Sequence, residues 1–423
     1  MNFENTAEFA SNLDKEDTLR NFRDRFYIPL LHGKEVIYFT GNSLGLQPKS
    51  AQDKVLNIME DWANYGVEGH FSGRSPWISY HDQLPAKFKN IIGAEEDEIV
   101  IMNFLTVNLH LLFCTFYKPT SSRYKIICEA KAFPSDQYAF ESQALLHGLD
   151  PNDTIIEVSP RKGEYYIRTE DIISTIELHK DSLSVVFFSG VNYYTGEVFD
   201  MPSITKAAHA ANAFCGFDLA HAIGNVHLDM HLWDVDFAVW CNYKYLNAGP
   251  GAIGGAFINN KHTKDPSLQR LSGWWGYDKE TRFKMEKGFK AIPTAEGWQL
   301  STPPGILMSL LLASLEIFEE AGFENLIRKS AHLTGYLYFI IEELNREFGE
   351  TIEIITPQEA HGCQVSLLIH QKGKQVFDAL KKEGILTDWR EPNVIRVSPV
   401  PLYNTFMDVY KFGTVLKKYA FES

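Results

Sequence analysis

Five short apolar runs between residues 126 and 240 constrain the fold more than any other feature of the chain. They are Ile126-Ile127-Cys128, Thr154-Ile155-Ile156-Glu157-Val158, Ser184-Val185-Val186-Phe187-Phe188, Ala213-Phe214-Cys215-Gly216-Phe217 and Phe237-Ala238-Val239-Trp240. The runs are nearly continuous rather than alternating, so strands made from them must be covered on both faces. Helical patterns, such as residues 204–211, lie between them. Strands alternating with helices predict an α/β fold with a mostly parallel, doubly wound central sheet. After Gly305 the pattern changes. Long helices at residues 306–320 and 331–348 precede short strands at 352–355, 366–369 and 394–397, which reads as a smaller α+β domain. The expected division is an N-terminal segment (1–45) packing with the small domain, a large domain (46–305) and a small C-terminal domain (306–423). A helix is expected near residues 18–27, followed by the turn-rich loop Gly41-Asn42-Ser43-Leu44-Gly45.

Composition removes several classes of function. The formal charge is −14 and no long basic run occurs, which argues against nucleic acid as a partner. The five cysteines stand singly among apolar residues, so neither a metal site nor a disulfide framework is expected, and reduced thiols suit a cytoplasmic protein. Met1-Asn2-Phe3-Glu4-Asn5 is acidic and lacks the apolar segment of a secretory signal. The greasiest stretch, residues 306–318, is interrupted by Glu316 and is too short to span a bilayer, so no membrane partner is expected. What remains is an enzyme or binding protein for a small molecule.

Ligands of doubly wound sheets bind beyond the carboxyl ends of the strands. Two of the apolar runs end there in chemistry. Phe237-Ala238-Val239-Trp240 leads through Cys241-Asn242 to Tyr243-Lys244-Tyr245 and a glycine-rich loop. An amine held between aromatic rings is partly desolvated, more easily deprotonated, and able to attack an aldehyde. The preceding run ends in Asp218, with His221 three residues on. A lysine that forms a Schiff base, together with a carboxylate for a pyridine nitrogen, is what pyridoxal 5'-phosphate requires. Alone, Lys244 reads as a solvated charge and Asp218 as a turn cap; on successive strand ends they form a pair. Thr106, in Leu105-Thr106-Val107-Asn108, is positioned to open a helix with apolar face Val107, Leu111 and Leu112, whose N-terminus suits a phosphate. Phe133-Pro134-Ser135-Asp136 offers a flat ring before a rigid turn, and Ser189 follows a strand. Trp274, Trp275 and Tyr277 crowd one glycine-rich loop, where they are expected to face a partner surface or a ligand. Ser301-Thr302-Pro303 reads as a helix start with Thr302 as cap. Arg396 is the one charge in an apolar strand and suits a carboxylate.

Taken together, Tyr243-Lys244-Tyr245-Leu246-Asn247-Ala248-Gly249, Phe217-Asp218-Leu219-Ala220-His221-Ala222, Phe133-Pro134-Ser135-Asp136, Leu105-Thr106-Val107-Asn108-Leu109-His110 and Gly41-Asn42-Ser43-Leu44-Gly45-Leu46 resemble the kynureninase family over almost the whole chain. The resemblance implies a fold-type I pyridoxal-phosphate enzyme, a homodimer with active sites at the subunit interface. The implied reaction is hydrolysis of kynurenine or 3-hydroxykynurenine to anthranilate or 3-hydroxyanthranilate plus L-alanine, within tryptophan catabolism and NAD biosynthesis. It implies Lys244 as the Schiff-base lysine, Asp218 as the partner of the pyridinium, and Leu105 and Thr106 as phosphate contacts. Phe133 stacks on the ring, with Pro134, Ser135 and Asp136 in the same cofactor-binding turn. Ser189, His221 and Tyr243 match further cofactor contacts, Tyr243 also as a proton carrier. Trp274 and Thr302 match residues that reach the phosphate of the neighbouring subunit. Arg396, with Asn42 and Ser43, matches the substrate-carboxylate side; His70, Ser301 and Thr302 match the aromatic end. At those last three positions the resemblance associates His, Ser and Asn with 3-hydroxykynurenine, and Trp, Gly and Thr with kynurenine. His70 and Ser301 follow the first pattern and Thr302 the second.

Two other readings stay open at this level. A class V aminotransferase or cysteine desulfurase shares the expected fold, and Cys363 is the one loop-like cysteine for a desulfurase. A pyridoxal-fold regulator needs a basic extension that this acidic chain lacks.

Overall fold

The computed structural model describes residues 2–265 and 267–422. Its centre is a seven-stranded sheet in the order Ile99–Val100, Gly254–Ile258, Phe237–Cys241, Phe214–Asp218, Leu183–Ser189, Lys125–Glu129, Ile155–Val158. The five strands read from apolar runs are mutually parallel. Gly254–Ile258 is antiparallel to both its neighbours, so the sheet is mixed at one edge. Val185, Val186, Phe217, Ala238 and Val239 are fully buried, because helices cover both faces. One face packs on Leu105–Phe116 and Pro134–Leu146 through a stack of aromatic rings, Phe116 and Phe237 lying stacked 4.5 Å apart with nearly parallel planes. The other face holds Met201–Ala210, whose Asp200 cap accepts from the Ser203 N–H, and the buried helix Gly305–Ala321.

A four-stranded antiparallel sheet follows in the order Ile352–Ile354, Val365–Ile369, Val394–Val397, Asp388–Arg390. Its core includes the 26-residue helix Phe323–Phe348 and the helix Phe406–Leu416. Strand Ile37–Tyr38 pairs in parallel with Ile385–Leu386. Asp14 accepts from the Phe406 and Met407 N–H groups at the start of the helix Phe406–Leu416. The first residues are thereby fixed to the last ones.

Several local expectations are corrected. The first helix is Ala7–Glu16, capped by Thr6, while the stretch expected to be α-helical contains only a 3-10 turn at Arg20–Arg25. Asp17 takes the Leu19 N–H on its side chain and ends the first helix. The helix after Phe104 begins at Leu105, so Thr106 is its second residue, and Val107 is exposed. Leu111 and Leu112 are buried as expected, together with Leu109, Phe113 and Phe116. Thr302 is not a cap. Two successive prolines keep the backbone extended, and the helix begins only at Gly305 with Pro304 in the cap position. Among the described residues no helix is long and apolar enough to cross a membrane.

Candidate active site

Three strand ends and two helix starts converge on one cavity of about 150 Å³. Leu105 and Thr106 come from the start of Leu105–Phe116, and Phe133, Ser135 and Asp136 from the start of Pro134–Leu146. Ser189 and Asp218 are the last residues of adjacent parallel strands and lie side by side in register. His221, Tyr243 and Lys244 complete the wall. Ten of the residues expected to act are therefore neighbours, with Pro134 in the first helical turn behind them. A larger cavity of about 600 Å³ lies elsewhere, lined by Phe3, Asn225, Tyr338 and His361 among others. It lacks the convergence of lysine and buried carboxylates seen here; chemistry rather than volume selects the site.

Lys244 projects between two rings, its Nζ being 5.9 Å from the centre of Phe133 and 5.8 Å from that of Tyr243. The lysine loop is held by the turn-rich segment read earlier. Gly45 donates to the Tyr243 carbonyl at 2.8 Å, and a Cβ on Gly45 would overlap the Lys244 carbonyl, so only glycine allows this approach. Asn247, at φ +52°, turns the chain back, and its N–H donates to the Lys244 carbonyl.

Opposite the lysine stand three buried carboxyl groups. Asp218 accepts from the Ala220 N–H at 2.7 Å and is hydrogen-bonded to Asp136. Burial pushes both upward, opposed by the nearby Lys244 charge; Asp136 rises furthest, because Asp218 and Glu129 add repulsion. Within the pair a proton is therefore held more tightly on Asp136 than on Asp218. Glu129, the third group, accepts from the Ser189 N–H at 2.9 Å and from its hydroxyl. Burial raises it to about 7. His221 is also buried, and burial with Lys244, Arg396 and Arg390 nearby pushes it far down, so the ring is neutral; its Nδ1 has no partner. Burial likewise pushes the Tyr243 phenol upward, keeping its proton on at neutral pH. The helix start at Leu105 and Thr106 leaves backbone N–H groups free for an anion.

Arg396, Ser43 and Asn42 lie beside this cavity. Tyr193 makes the connection: its ring meets Phe133 edge-on at 5.3 Å, and its carbonyl accepts from Arg396 Nη1 at 2.6 Å. Ser43 bonds to Arg396, and Asn42, fully buried, donates to Gln364. His70, Trp274, Ser301 and Thr302 do not reach the cavity within one chain. His70 packs edge-on against Trp77 at 5.3 Å, and Trp77 also stands 3.9 Å from where a Cβ on Gly305 would lie. Trp77 thus links His70 to the start of the helix that follows Thr302. Trp274, Ser301 and Thr302 are exposed. Trp275 departs from expectation: it is buried, donates to His81, and carries Arg282 on its face at 4.3 Å. His81, Asp82 and Glu296 lie close enough to hold a cation, but Lys279 already occupies that role at 2.9 Å from each carboxylate.

The sequence reading missed Glu129, Tyr193 and Asp388. Glu129 closes an apolar run just as Asp218 does, and that parallel was the available signal. Tyr193 lies in the turn-rich Asn192-Tyr193-Tyr194-Thr195-Gly196 after a strand. Asp388 belongs to a strand too short to show a pattern.

Cys363 does not sit on a mobile loop. It is buried, its N–H donates to Asn225 at 2.8 Å, and burial pushes its thiol up to about 12. A persulfide carrier must be an exposed thiolate, so a desulfurase chemistry finds no nucleophile in it.

Comparison with known proteins gives the family of the chain. Residues 326–416 match the kynureninase C-terminal domain. The chain is 54% identical to the kynureninase of Flavobacterium psychrophilum over 420 residues, 99% of either chain. It is 48% identical to that of Mus musculus over 428 residues, 96% of this chain and 92% of the relative. Among solved structures, the cystine C–S lyase C-DES with its product cysteine persulfide superposes with a TM-score of 0.74 at 16% identity, covering 91% of this chain and 98% of the other. At that identity the likeness concerns the fold.

Proposed function

The chain belongs to the kynureninase family, and from that premise we propose that it hydrolyses 3-hydroxykynurenine, and kynurenine less well, to the matching anthranilate and L-alanine. It is a pyridoxal-phosphate-dependent hydrolase of carbon–carbon bonds. The observation that carries the reading is the convergence of Lys244, a buried Asp218 hydrogen-bonded to Asp136, the Phe133 ring and a free helix start around one cavity. The buried carboxylate without a full cation partner fits a protonated pyridine nitrogen. The orphaned His221 Nδ1 and the unfilled N–H groups at Leu105 and Thr106 fit the polar edge and phosphate of the same group.

Bound pyridoxal phosphate supplies an aldehyde for amines and a cationic ring that accepts electrons. The residues of this chain do the rest. Lys244 holds the group and then moves the proton of the substrate α-carbon. Asp218, hydrogen-bonded to Asp136, would pair with the ring nitrogen and favour its charged form. Phe133 fixes the ring plane. Arg396 takes the substrate carboxylate. Tyr243, whose phenol keeps its proton, delivers one to the departing β-carbon. One water is consumed: its oxygen ends in the carboxylate of the anthranilate, the Cβ–Cγ bond breaks, and the β-carbon leaves as the methyl group of alanine.

The preference for the hydroxylated substrate rests on His70 and Ser301, whose imidazole and hydroxyl can pair with a ring hydroxyl. We read the active unit as a homodimer, in which the neighbouring subunit brings Trp274, Ser301, Thr302 and His70 to each cavity. Exposed apolar side chains close by in the sequence support this: Trp62, Val67 and Phe71 before and after His70, and Phe283 and Met285 after Trp274. The division at residues 45 and 305, a cytoplasmic location and a role in pyridine-nucleotide synthesis belong to the same proposal. Incubation with 3-hydroxykynurenine and kynurenine tests it by the release of alanine and the fluorescence of the anthranilates. Borohydride should fix the cofactor to Lys244. An adduct on another lysine, or no cleavage of either compound, would overturn the reading.

A further inference from the structure

Asp388 lies directly opposite Arg396 across two antiparallel strands. Arg396 is 1% exposed, and its Nη2 meets Asp388 Oδ2 at 2.6 Å. The Ser43 hydroxyl accepts from Arg396 Nη2 at 3.2 Å and donates to the same carboxylate oxygen. Arg390 approaches from the other side, its Nε 3.2 Å from Asp388 Oδ1. Two guanidinium groups therefore share one carboxylate. Burial pushes the Asp388 carboxyl up, but Arg396, the Ser43 hydroxyl and Arg390 together hold it below its ordinary range, so it is ionised. One positive charge is left over. Arg396 Nε is buried and has no hydrogen-bond partner. A buried guanidinium with an empty donor and surplus charge is completed by an anion.

Resting on the reading of Arg396 as the substrate-carboxylate clamp, we propose that Asp388 is a specificity-determining residue: it fills one of two carboxylate positions at the Arg390–Arg396 pair, so that the site admits amino acids with a single carboxylate and rejects dicarboxylates. A monocarboxylate brings the one negative charge that the cluster lacks. A second carboxylate meets the like charge of Asp388 in a partly desolvated place, where repulsion is strong. Removing that charge while keeping the shape leaves two uncompensated guanidinium charges and no carboxylate to repel a second one on the ligand.

The test is calorimetric titration of the holoenzyme with L-alanine and with L-aspartate. The wild-type protein should bind alanine at least tenfold more tightly than aspartate. Asp388→Asn should move the ratio of the two dissociation constants at least tenfold toward aspartate, and Asp388→Glu should keep the wild-type ratio. Arg396→Gln should weaken alanine. A wild-type protein that binds both equally overturns the inference without any variant. An unchanged ratio in Asp388→Asn, with alanine weakened by Arg396→Gln, overturns it while leaving the clamp intact. Alanine binding unaffected by Arg396→Gln removes the clamp and the inference together.

Discussion

Replacing Glu129 by Gln should make the cofactor-free protein more tolerant of alkaline pH. Glu129 ends the strand Lys125–Glu129, is 2% exposed, and is raised from 4.5 to about 7, burial being the main cause and the charge of Asp218 a smaller one. A carboxyl whose folded pKa is raised binds its proton more tightly in the folded state. Its stabilising share is complete below the unfolded value near 4.5 and is lost as pH rises through the folded value near 7. The difference between these values corresponds to on the order of 3 kcal/mol lost between pH 5 and pH 8. Gln has no proton to lose. Its carbonyl can accept from the Ser189 N–H, while the Ser189 hydroxyl reverses to accept from the amide, so the local geometry is retained. Urea unfolding at fixed protein concentration, at pH 5 and pH 8, gives the comparison. The wild-type protein should fall relative to Glu129→Gln by on the order of 3 kcal/mol across this interval. Parallel profiles for the two proteins would mean that Glu129 is already ionised in the fold, and the assignment of its proton would be wrong.

Asp236 behaves in the opposite sense. Burial disfavours its charge, but His209 at 2.9 Å, His262 at 2.7 Å and Lys261 at 3.0 Å outweigh this and depress it, so its contribution is present above the unfolded value near 3.8 and is lost as pH falls further. Asp236→Asn should cost about 3 kcal/mol at pH 7 and flatten the acid limb of the unfolding profile; an unchanged acid limb refutes it. Trp274→Ala should weaken self-association at least tenfold in sedimentation and lower cofactor retention in parallel, whereas a monomer that keeps its cofactor would contradict the shared site. His70→Trp should move the ratio of kcat/KM values toward kynurenine by roughly tenfold, since a polar group left unpaired by the wrong substrate costs about 1–3 kcal/mol; an unmoved ratio removes His70 from the aromatic end.

What could be read from the sequence follows from how locally each feature is encoded. A strand covered on both faces writes itself as an unbroken apolar run, and the residue that closes the run lies at the sheet edge where ligands bind. That is why Asp218 and Lys244 were visible, and why Glu129 was visible in principle but was not distinguished from a strand terminus. Turn chemistry was read less well. The two prolines at 303 and 304 moved a helix start that Thr302 alone would have set, and a side-chain bond that Asp17 accepts from the Leu19 N–H ended a helix just where the expected one was to begin. Asp388 was invisible for a different reason. Its meaning lies in the register that places it across from Arg396, and in Ser43, which arrives from 345 residues away. No window of sequence contains that triangle. The same limit applies to His70, Trp274, Ser301 and Thr302. They do not join the cavity of their own chain, and in the proposed homodimer it is the second copy that brings them there. On the proposed reading, the residues assigned to the cofactor are written at the ends of single strands, while those assigned to substrate choice are written between strands and between subunits. A change of specificity should therefore need substitutions that look unrelated in sequence, such as His70 and Asp388, without touching Lys244 or Asp218.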